Sequence, residues 1–503
     1  MAVGLDKVAQ RDFSAGMFRG VREDLIPENG AYDITNGLLD NTGTVYRRGG
    51  TSYRSIAAFG SSILFVWDGW LTAGQRTLIA SPTAFGVLNG DGTVTSLSGG
   101  GVSSPRRASV LGGVLYLPGG QTYDGTSLGS AATTGTFYAV AGNRLFAATG
   151  SQVNFSAIYS GTGAPTFAPT DFHAMPEGVQ IVGLQSLRNA VAVFTTGGIW
   201  IISNIGFDLT DADGNVQQRI DKYSSDLVLW GDAGIAAYEG GLVVPAADGV
   251  WLLSLGVESE ARVPFARISD SIQKLYRQYV AAGYTPGQAC AFNGHYFLPI
   301  LDGSLTPVDL LVCRLDAPSR PWTHFSGYGA QLAALTVRTS VSSPRAPQLI
   351  GGSAVAGRVL DLSYFQTVAA TASDADGSPH PWSMQPRDVP TGPLNMNTIM
   401  SLEIGYDLSG SGAAITATQI SGRQGVSGTL WGAFNWGGAN WNASATIAPL
   451  SGQAPESPTG LDPYRWPIGK RERFARVRLD CTAAANYLTL RYLVLRIRSS
   501  GRN

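Results

Sequence analysis

The chain has 503 residues, a size at which a single hydrophobic core usually stops growing, so several domains or a closed repeat architecture are expected. Its formal net charge of −1 argues against nonspecific nucleic-acid binding by the chain as a whole. No apolar run approaches the roughly 18 residues that cross a bilayer, and the first residues lack a signal-peptide pattern, so we expect no membrane anchor.

The surface is expected to be weakly charged. Charged residues make up 14% of the chain and glycine accounts for 64 residues. Such surfaces are typical of proteins that are buried in a permanent assembly. The three cysteines are scattered without metal-binding spacing, which fits synthesis in a reducing cytoplasm.

From residue 55 to residue 370 the sequence repeats a short apolar strand, a tight turn with Gly or Asn, and a second apolar strand. Clear copies are Val191–Ile202 and Gly241–Leu253. Most copies are separated by about 45 to 55 residues, the spacing of four-stranded propeller blades. We therefore predict a β-propeller over residues 55–370, with the number of blades left open.

One helix is predicted within this region. It begins at Ser269 or Asp270 as N-cap and stops at Gly283. Its apolar residues recur at the spacing of one buried helical face, from Ile272 to Val280. We expect this face to pack on a blade or at a subunit contact.

Residues 371–395 are rich in Ala, Ser, Asp and Pro and are interpreted as a linker. Strand patterns resume at Ile399–Tyr406 and continue through Phe474–Leu479 and Tyr487–Ile497. Their alternation predicts an antiparallel β-sandwich-like domain over residues 396–503. The expected fold class is all-β, a β-propeller with this additional C-terminal domain.

Motifs for catalysis or metal binding are incomplete. Gly125–Gly129 has the G-x-S-x-G spacing of a nucleophile elbow, but the residues after it predict no helix to present Ser127. Asp211–Asn215 begins like a calcium loop, but Val216 replaces the glycine and Lys222 the bidentate glutamate. We predict that the chain is not an enzyme and holds no cofactor or metal.

The C-terminal stretch is locally basic, since from Arg465 to Arg502 the acids are Glu472 and Asp480. Side chains alternate along a strand, so the arginines of each pair 476/478 and 496/498 are expected to share a face. They could contact a phosphate backbone without reading sequence, contact a neighbouring subunit, or form a solvated edge. The candidate DNA-channel or inter-subunit contacts are Arg471, Arg473, Arg476, Arg478, Arg496 and Arg498.

Several segments resemble the tail nozzle, or packaged-DNA stabilisation (tail hub), proteins of short-tailed bacteriophages. The resemblance covers about residues 10–365. It is carried by Asp12–Met17, Asn36–Asn41, Val45–Thr51, Ile181–Leu184, Val193–Trp200, Asp248–Trp251, Ser269–Ile272 and Asn293–Phe297.

The resemblance implies that residues 1–54 are a lead-in segment before the propeller. It also implies a structural virion protein that forms a homo-oligomer, a six-fold ring, and closes the DNA channel until ejection. Its partners would be the adaptor of the head-to-tail connector, the tail fibres and, transiently, the phage genome. It would be located in the virion tail after synthesis in the host bacterial cytoplasm.

Two other function classes stay open: a receptor- or glycan-binding tail propeller and a degenerate glycosidase. A glycan binder is expected to expose clustered aromatic side chains beside polar groups. Trp67, Trp200 and Trp251 instead lie within apolar strands and are interpreted as blade core.

Overall fold

The computed structural model describes residues 5–21, 25–176, 178–205, 218–254, 265–339, 346–365, 373–390, 397–409, 415–420, 447–449, 464–472, 474–475, 477–481 and 487–498. The chain divides into two compact units. The propeller unit comprises Thr51–Cys313 and Gly329–Leu362. The sandwich unit comprises Met1–Gly50, Arg314–Tyr328 and Ser363–Asn503.

The first part of the chain contains short strands. They are β1 (Leu5–Gln10), β2 (Gly16–Met17), β3 (Gly30–Thr35), β4 (Gly37–Leu39), β5 (Val45–Arg47) and β6 (Thr51–Tyr53).

A long series of hairpins follows. Its strands are β7 (Phe65–Leu71), β8 (Gly74–Ala80), β9 (Phe85–Leu88), β10 (Val94–Leu97), β11 (Ser109–Leu111), β12 (Val114–Leu117), β13 (Gln121–Tyr123), β14 (Leu128–Ser130), β15 (Phe137–Ala141), β16 (Arg144–Thr149), β17 (Gln152–Phe155), β18 (Phe172–Ala174), β19 (Ile181–Leu187), β20 (Ala190–Thr195), β21 (Gly198–Ser203), β22 (Arg219–Ser224), β23 (Ala236–Tyr238), β24 (Gly241–Ala246), β25 (Gly249–Ser254), β26 (Phe265–Arg267), β27 (Thr285–Pro286), β28 (Cys290–Phe292), β29 (His295–Leu301) and β30 (Pro307–Arg314).

The remaining strands complete both units. They are β31 (Trp322–Phe325), β32 (Leu332–Thr339), β33 (Pro347–Ser353), β34 (Val359–Leu362), β35 (Trp382–Pro386), β36 (Val389–Pro390), β37 (Asn397–Ser409), β38 (Thr416–Ile420), β39 (Ile447–Pro449), β40 (Tyr464–Glu472), β41 (Phe474–Ala475), β42 (Val477–Cys481) and β43 (Tyr487–Arg498).

The propeller unit is a ring of antiparallel sheets. Five sheets are formed by four consecutive strands each, namely β7–β10, β11–β14, β15–β18, β19–β22 and β23–β26. In a sixth group β29 pairs with β27 and β28 and neighbours β30. The last sheet contains β32, β33, β34 and β6. The described residues therefore form a β-propeller with seven blades.

The first and last blades close the ring. The first strands of neighbouring blades lie side by side, as β15 does against β19 and β32 against β7. Strand β6 precedes the first blade in the sequence but pairs with β34 of the last blade, with Leu360 opposite Tyr53. The last blade thus joins two segments about 300 residues apart, which fixes the closure.

Local turn chemistry explains the hairpins. Gly142 and Asn143 have φ values of 56° each, the left-handed conformation that a two-residue hairpin turn requires. In other turns an aspartate accepts the N–H and hydroxyl of a residue two positions later, as Asp91 does from Thr93 at 2.9 and 2.7 Å. Asp124 and Thr126 repeat this arrangement.

Apolar side chains fill the space between neighbouring blades. One cluster joins β15–β18 to β19–β22 through Phe146, Phe155, Val193 and others, and a second joins β19–β22 to β23–β26. Trp67, Trp200 and Trp251 are half-buried and pack against these and similar clusters. Their interpretation as residues of the blade core agrees with these contacts.

The predicted helix is present. A 3-10 turn at Asp270–Ile272 leads into helix α1 (Gln273–Ala281), and Gly283 follows with φ 73°. Ile272 and Tyr276 are fully buried, and the Tyr276 hydroxyl donates to the Ala246 carbonyl at 2.8 Å. The apolar face of this helix therefore packs on the blade β23–β26.

The sandwich unit contains two sheets around one core. In the first, β43 lies between β37 on one edge and β1 and β5 on the other, with β40 beyond β37 and β4 beyond β5. The second has the order β31, β3, β35, β42, β38, β39. Residues of both sheets, including Trp382, Ile404, Leu479 and Leu495, form a single buried cluster.

The units divide the chain differently from the predicted domains. Strands β1–β5 belong to the sandwich unit, where Phe13 and Ile34 lie in the core, and they do not form a separate lead-in. The predicted linker, residues 371–395, contains β35, whose Trp382 and Met384 are fully buried. Both differences have one cause. Strands β1 and β35 pair with β43 and β3, which are 300 or more residues away in the sequence, and the local sequence pattern does not indicate such pairing.

Candidate functional site

Four of the six candidate arginines lie in described strands, and these four are spread over both sheets of the sandwich unit. Arg496 and Arg498 lie in β43, and Arg471 lies in β40. Thr398 of β37, the strand between them, is opposite both Arg471 and Arg498. Arg478 lies in β42 of the second sheet. Arg473 and Arg476 lie outside the described residues.

Strand β43 presents one face to the core and one to the surface. Leu493, Leu495 and Ile497 are buried in the core, whereas Arg496 is half-buried and Arg498 is exposed. The expectation that Arg496 and Arg498 share a face agrees with this alternation. A β-bulge at Arg491 shifts the register, because Gly405 pairs with Tyr492 while Tyr406 pairs with Leu490.

Three neighbouring strands build a basic groove on this outer face. Lys7 lies opposite Arg496 across β1 and β43, and Glu403 lies opposite Val494 across β37 and β43. The groove has a volume of about 580 Å³. It is lined by Lys7, Ala9, Arg11, Glu403, Tyr492, Val494 and Arg496.

Positive charge dominates this groove. Arg496 donates from Nη2 to Oε2 of Glu403 at 2.9 Å, and its side chain keeps 24% of its surface exposed. The Nε of Arg496 is buried without a hydrogen-bond partner. Lys7 and Arg11 are exposed. With one carboxylate among its lining residues against three cations, the groove is suited to an anionic ligand.

Tyr492 forms the wall of the groove at the bulge. A Cβ at Gly405 would lie 2.1 Å from the ring of Tyr492, so the ring covers the bare backbone of β37. Glycine is required there because a side chain would displace the ring. Tyr492 thereby offers a flat aromatic surface beside the cations.

Arg478 does not contribute to this groove, since it belongs to the other sheet. Its Nε donates to Asp480 Oδ1 at 2.8 Å, and about half of its side chain is exposed. Exposed pairs of this kind contribute little to stability.

Sequence reasoning missed Lys7, Arg11 and Tyr492. Alternation in β1 could indicate a strand, but nothing local indicates that its partner is β43, almost 490 positions later. Tyr492 shares the outer face with Arg496 and Arg498 through strand alternation, so the local pattern of β43 could have indicated it.

A second ionic cluster, the Arg48 cluster, is fully buried in the sandwich unit. Arg48 donates from Nη1 and Nη2 to the two carboxylate oxygens of Asp374, both at 3.0 Å, and from Nε to Asn36 Oδ1 at 2.8 Å. Its guanidinium also lies over the rings of Phe325 and Tyr364, 5.6 and 5.2 Å from their centroids. Asn36 and Arg48 lie in segments that carry the phage-tail resemblance, and here they hold three chain segments together.

His380 lies beside this cluster. Its Nε2 bonds to the Arg48 carbonyl at 2.8 Å, and its Nδ1 is 3.9 Å from Asp374. Burial, together with the charges of Arg48 and Arg47, lowers the pKa of His380 to about 3. Burial also lowers the pKa of Arg47 to about 10. The ring is therefore neutral at pH 7.

The geometry of another acid–histidine pair differs from that of a catalytic relay. His324 Nε2 lies 3.1 Å from Asp33 and 2.9 Å from the Thr35 hydroxyl. A relay needs the acid on one ring nitrogen and the nucleophile on the other. Here both partners meet the same nitrogen. Burial raises the pKa of Asp33, but this is outweighed by the hydrogen bond and charge of His324 and by Arg19, which lower it.

The G-x-S-x-G motif lies in a hairpin turn. Ser127 lies in the turn between β13 and β14, where Asp124 accepts its N–H at 2.8 Å, and a strand, not a helix, follows. The calcium-like stretch Asp211–Asn215 lies outside the described residues. Within the part of the chain that the structure describes, no group of three or more metal-ligating side chains occurs.

Among the described residues, no helix has the length and apolar character needed to cross a membrane.

Comparisons with known proteins give a distant structural similarity. No protein-family model matches the chain, and no curated protein matches it. The solved structure of YCF48 from Cyanidioschyzon merolae is similar to this chain with a TM-score of 0.36 at 9% sequence identity, over 63% of this chain and 98% of that chain.

Proposed function

We propose that this chain is a structural virion protein, a tail nozzle or hub subunit of a short-tailed bacteriophage. It forms a homo-oligomeric, six-fold ring that closes the DNA channel, retains the packaged genome and lets it pass on ejection. The observation that carries this proposal is the basic groove of Lys7, Arg11 and Arg496 on a chain whose net charge is −1. The resemblance of residues 10–365 supports it.

The groove suits a polyanion that must be held and then released. Lys7 and Arg11 are exposed, so their contacts with phosphate are weakened by salt and are replaceable as the duplex slides. Repetition of the groove by ring symmetry multiplies such weak contacts. Genome retention then depends on the number of subunits and not on one tight site.

The proposal also specifies location and partners. The subunit belongs to the virion tail and is made in the host bacterial cytoplasm. It contacts the adaptor of the head-to-tail connector, the tail fibres and, transiently, the genome. The Asp33–His324–Thr35 geometry favours a structural role over catalysis, and the function requires no cofactor.

Negative-stain images of the purified protein test the assembly. A ring with a central hole is expected, because a weakly charged surface suits permanent contacts between subunits. Monodisperse monomers at high protein concentration would refute the ring.

A triple variant, Lys7→Gln, Arg11→Gln and Arg496→Gln, tests the groove. Affinity for a DNA duplex, measured by fluorescence anisotropy, should fall by about an order of magnitude at low salt, with a shallower salt dependence. The ring should still assemble.

The matched control removes the same charge elsewhere. Arg188→Gln, Lys274→Gln and Arg277→Gln are exposed positions of the propeller unit. Equal loss of affinity in this variant would mean that net charge, and not the groove, governs binding. Failure of the first variant to form rings, with DNA affinity unchanged, would assign the basic residues to a subunit interface.

The alternative, a receptor- or glycan-binding tail propeller, is favoured by one observation. Trp70 of the propeller unit is 66% exposed and lines a cavity with polar side chains. Binding of a saccharide at the propeller is compatible with either function.

A further inference from the structure

A second cavity lies in the propeller unit, with a volume of about 560 Å³. Its lining comes from the β7–β8 hairpin, the turns after β9 and β13, and the end of β32. All its lining residues belong to the propeller unit. Cavities of this size accommodate ligands of one or two sugar rings or of similar bulk.

Trp70 is the prominent apolar group of this cavity. It is the side chain with the largest exposed fraction among the exposed large hydrophobic residues of the described chain, at 66%. Trp67, three residues earlier, packs on the core between two blades instead. An exposed indole offers a wide, rigid apolar face to a ligand at small entropic cost.

Arg76 supplies the first positive charge of the lining. Its Nε donates to the Gly125 carbonyl at 3.0 Å and its Nη1 to the Gln75 carbonyl at 3.1 Å. Two backbone carbonyls, which are neutral, thus hold the guanidinium in place without cancelling its charge. A preorganised guanidinium loses little freedom when a ligand binds.

Arg338 supplies the second positive charge. Its Nε is 3.7 Å from Asp68, beyond hydrogen-bond distance, and has no hydrogen-bond partner. Asp68 accepts instead from the Thr77 hydroxyl at 2.6 Å and the Gln75 amide at 2.8 Å. The ion pair of Arg338 with Asp68 therefore leaves Nε without a hydrogen bond, and the lining residues include no carboxylate.

Neutral polar groups complete the lining. The Asn89 amide nitrogen donates to the hydroxyls of Thr93 and Thr95, both at 3.0 Å, which fixes the side chain and leaves its Oδ1 as an acceptor. Thr95 and Thr126 also line the cavity. Fixed amide and hydroxyl groups match the hydroxyls of a sugar.

From these contacts we propose that the cavity binds a saccharide that carries a carboxylate, with a sugar face on Trp70 and the carboxylate at Arg76 and Arg338. Guanidinium groups recognise carboxylates with directional, charge-assisted hydrogen bonds. The proposal is independent of ring assembly and of the basic groove in the sandwich unit.

A nucleic-acid strand fits this cavity less well. The turn at Thr126 has its N–H groups bonded to Asp124, so they are not available to a phosphate. Hydrogen bonds from Thr126 and Ser127 lower the pKa of Asp124 to about 2, and those from Thr93 lower the pKa of Asp91. Asp91 and Asp124 adjoin the lining residues Gly90 and Gly125 in the sequence, and a chain of phosphates is repelled by them more strongly than a single carboxylate.

The test compares matched saccharides with the full-length protein. Sialyllactose and an oligogalacturonate carry carboxylates, lactose is the neutral match, and a short single-stranded oligonucleotide represents nucleic acid. Calorimetry and saturation-transfer NMR should detect at least one acidic saccharide, bound at least about tenfold more tightly than lactose.

Variants locate the binding. Trp70→Ala should abolish binding of the acidic saccharide, and Arg338→Gln should weaken it about tenfold, since a charged hydrogen bond is lost. Phe172→Ala is the matched control, because Phe172 is 43% exposed in the same unit but does not line the cavity. It should bind as the parent protein does, and thermal melting should show all three variants folded.

Three results would overturn the proposal. The first is equal affinity for lactose and sialyllactose. The second is binding of the oligonucleotide by the parent protein that disappears in Trp70→Ala. The third is that neither acidic saccharide binds. None of them bears on whether the protein forms rings, so failure here is distinguishable from failure of the nozzle proposal.

Discussion

Two arginine–carboxylate pairs of the sandwich unit have the same chemistry in opposite surroundings. Arg48 and Asp374 are both fully buried, and Arg48 has further hydrogen bonds and two aromatic rings around it. Arg496 and Glu403 keep 24% and 16% of their side chains exposed beside an open groove. Full burial makes the first pair a structural clamp, whereas the second pair is only partly buried and can exchange partners with a ligand.

The difference follows from the cost of desolvation. A buried guanidinium is tolerated when each donor meets an acceptor, and removal of its carboxylate leaves an uncompensated charge. A partly exposed guanidinium keeps part of its hydration with or without its partner. The two pairs should therefore respond differently to the same substitutions.

The largest effect is expected from Asp374→Ala, which should lower the free energy of unfolding by about 3–5 kcal/mol because Arg48 stays buried without its counter-charge. Urea denaturation followed by tryptophan fluorescence measures it. Asp376→Ala is the matched control, since Asp376 is exposed and accepts from Ser378 in the same turn. Similar losses in both variants would show that the turn, and not the buried pair, is responsible.

A pH effect of intermediate size should come from His380. Its pKa of about 3 in the folded chain lies below the ordinary value of 6.5. Between these values the unfolded chain binds a proton at His380 that the folded chain does not. The contribution of neutral His380 to the free energy of unfolding is therefore fully present above pH 6.5 and is lost as the pH falls. The expected slope is about 1.4 kcal/mol per pH unit.

His380→Gln checks this assignment because glutamine does not titrate. The free energy of unfolding, measured between pH 5 and 7, should depend less steeply on pH in the variant. The carboxyl groups of the chain contribute to the slope in both proteins. Identical slopes in both proteins would mean that the pKa of His380 is the same in the folded and the unfolded chain, despite Arg47 and Arg48 nearby.

The smallest effect on stability should come from Glu403→Gln, at under about 1 kcal/mol, because the pair is partly hydrated. The same change should strengthen duplex DNA binding, since it removes the carboxylate from the lining of the basic groove. Arg478→Gln in the other sheet is the control and should alter neither property. Weaker DNA binding by Glu403→Gln would show that Glu403 holds Arg496 in its binding position.

Part of the candidate site was accessible from the sequence. Alternation in β43 predicted that Arg496 and Arg498 share a face, and their surface positions agree. The bulge at Arg491, the strand β1 that brings Lys7 beside Arg496, and the separation of Arg478 into another sheet were not predictable. Each depends on which distant strands pair, and the chain carries no local signal for that choice.

Local sequence patterns accounted for the hairpins of the blades and for the helix. Hairpins depend on turn residues such as Gly142–Asn143 and on the alternation of strands a few residues apart, so their causes are local. Tertiary structure decided how the ends of the chain are used. The pairing of β6 with β34 and the Arg48–Asp374 contact join segments more than 300 residues apart. Such contacts depend on complementary buried surfaces that exist only when both segments are folded, so local patterns cannot specify them.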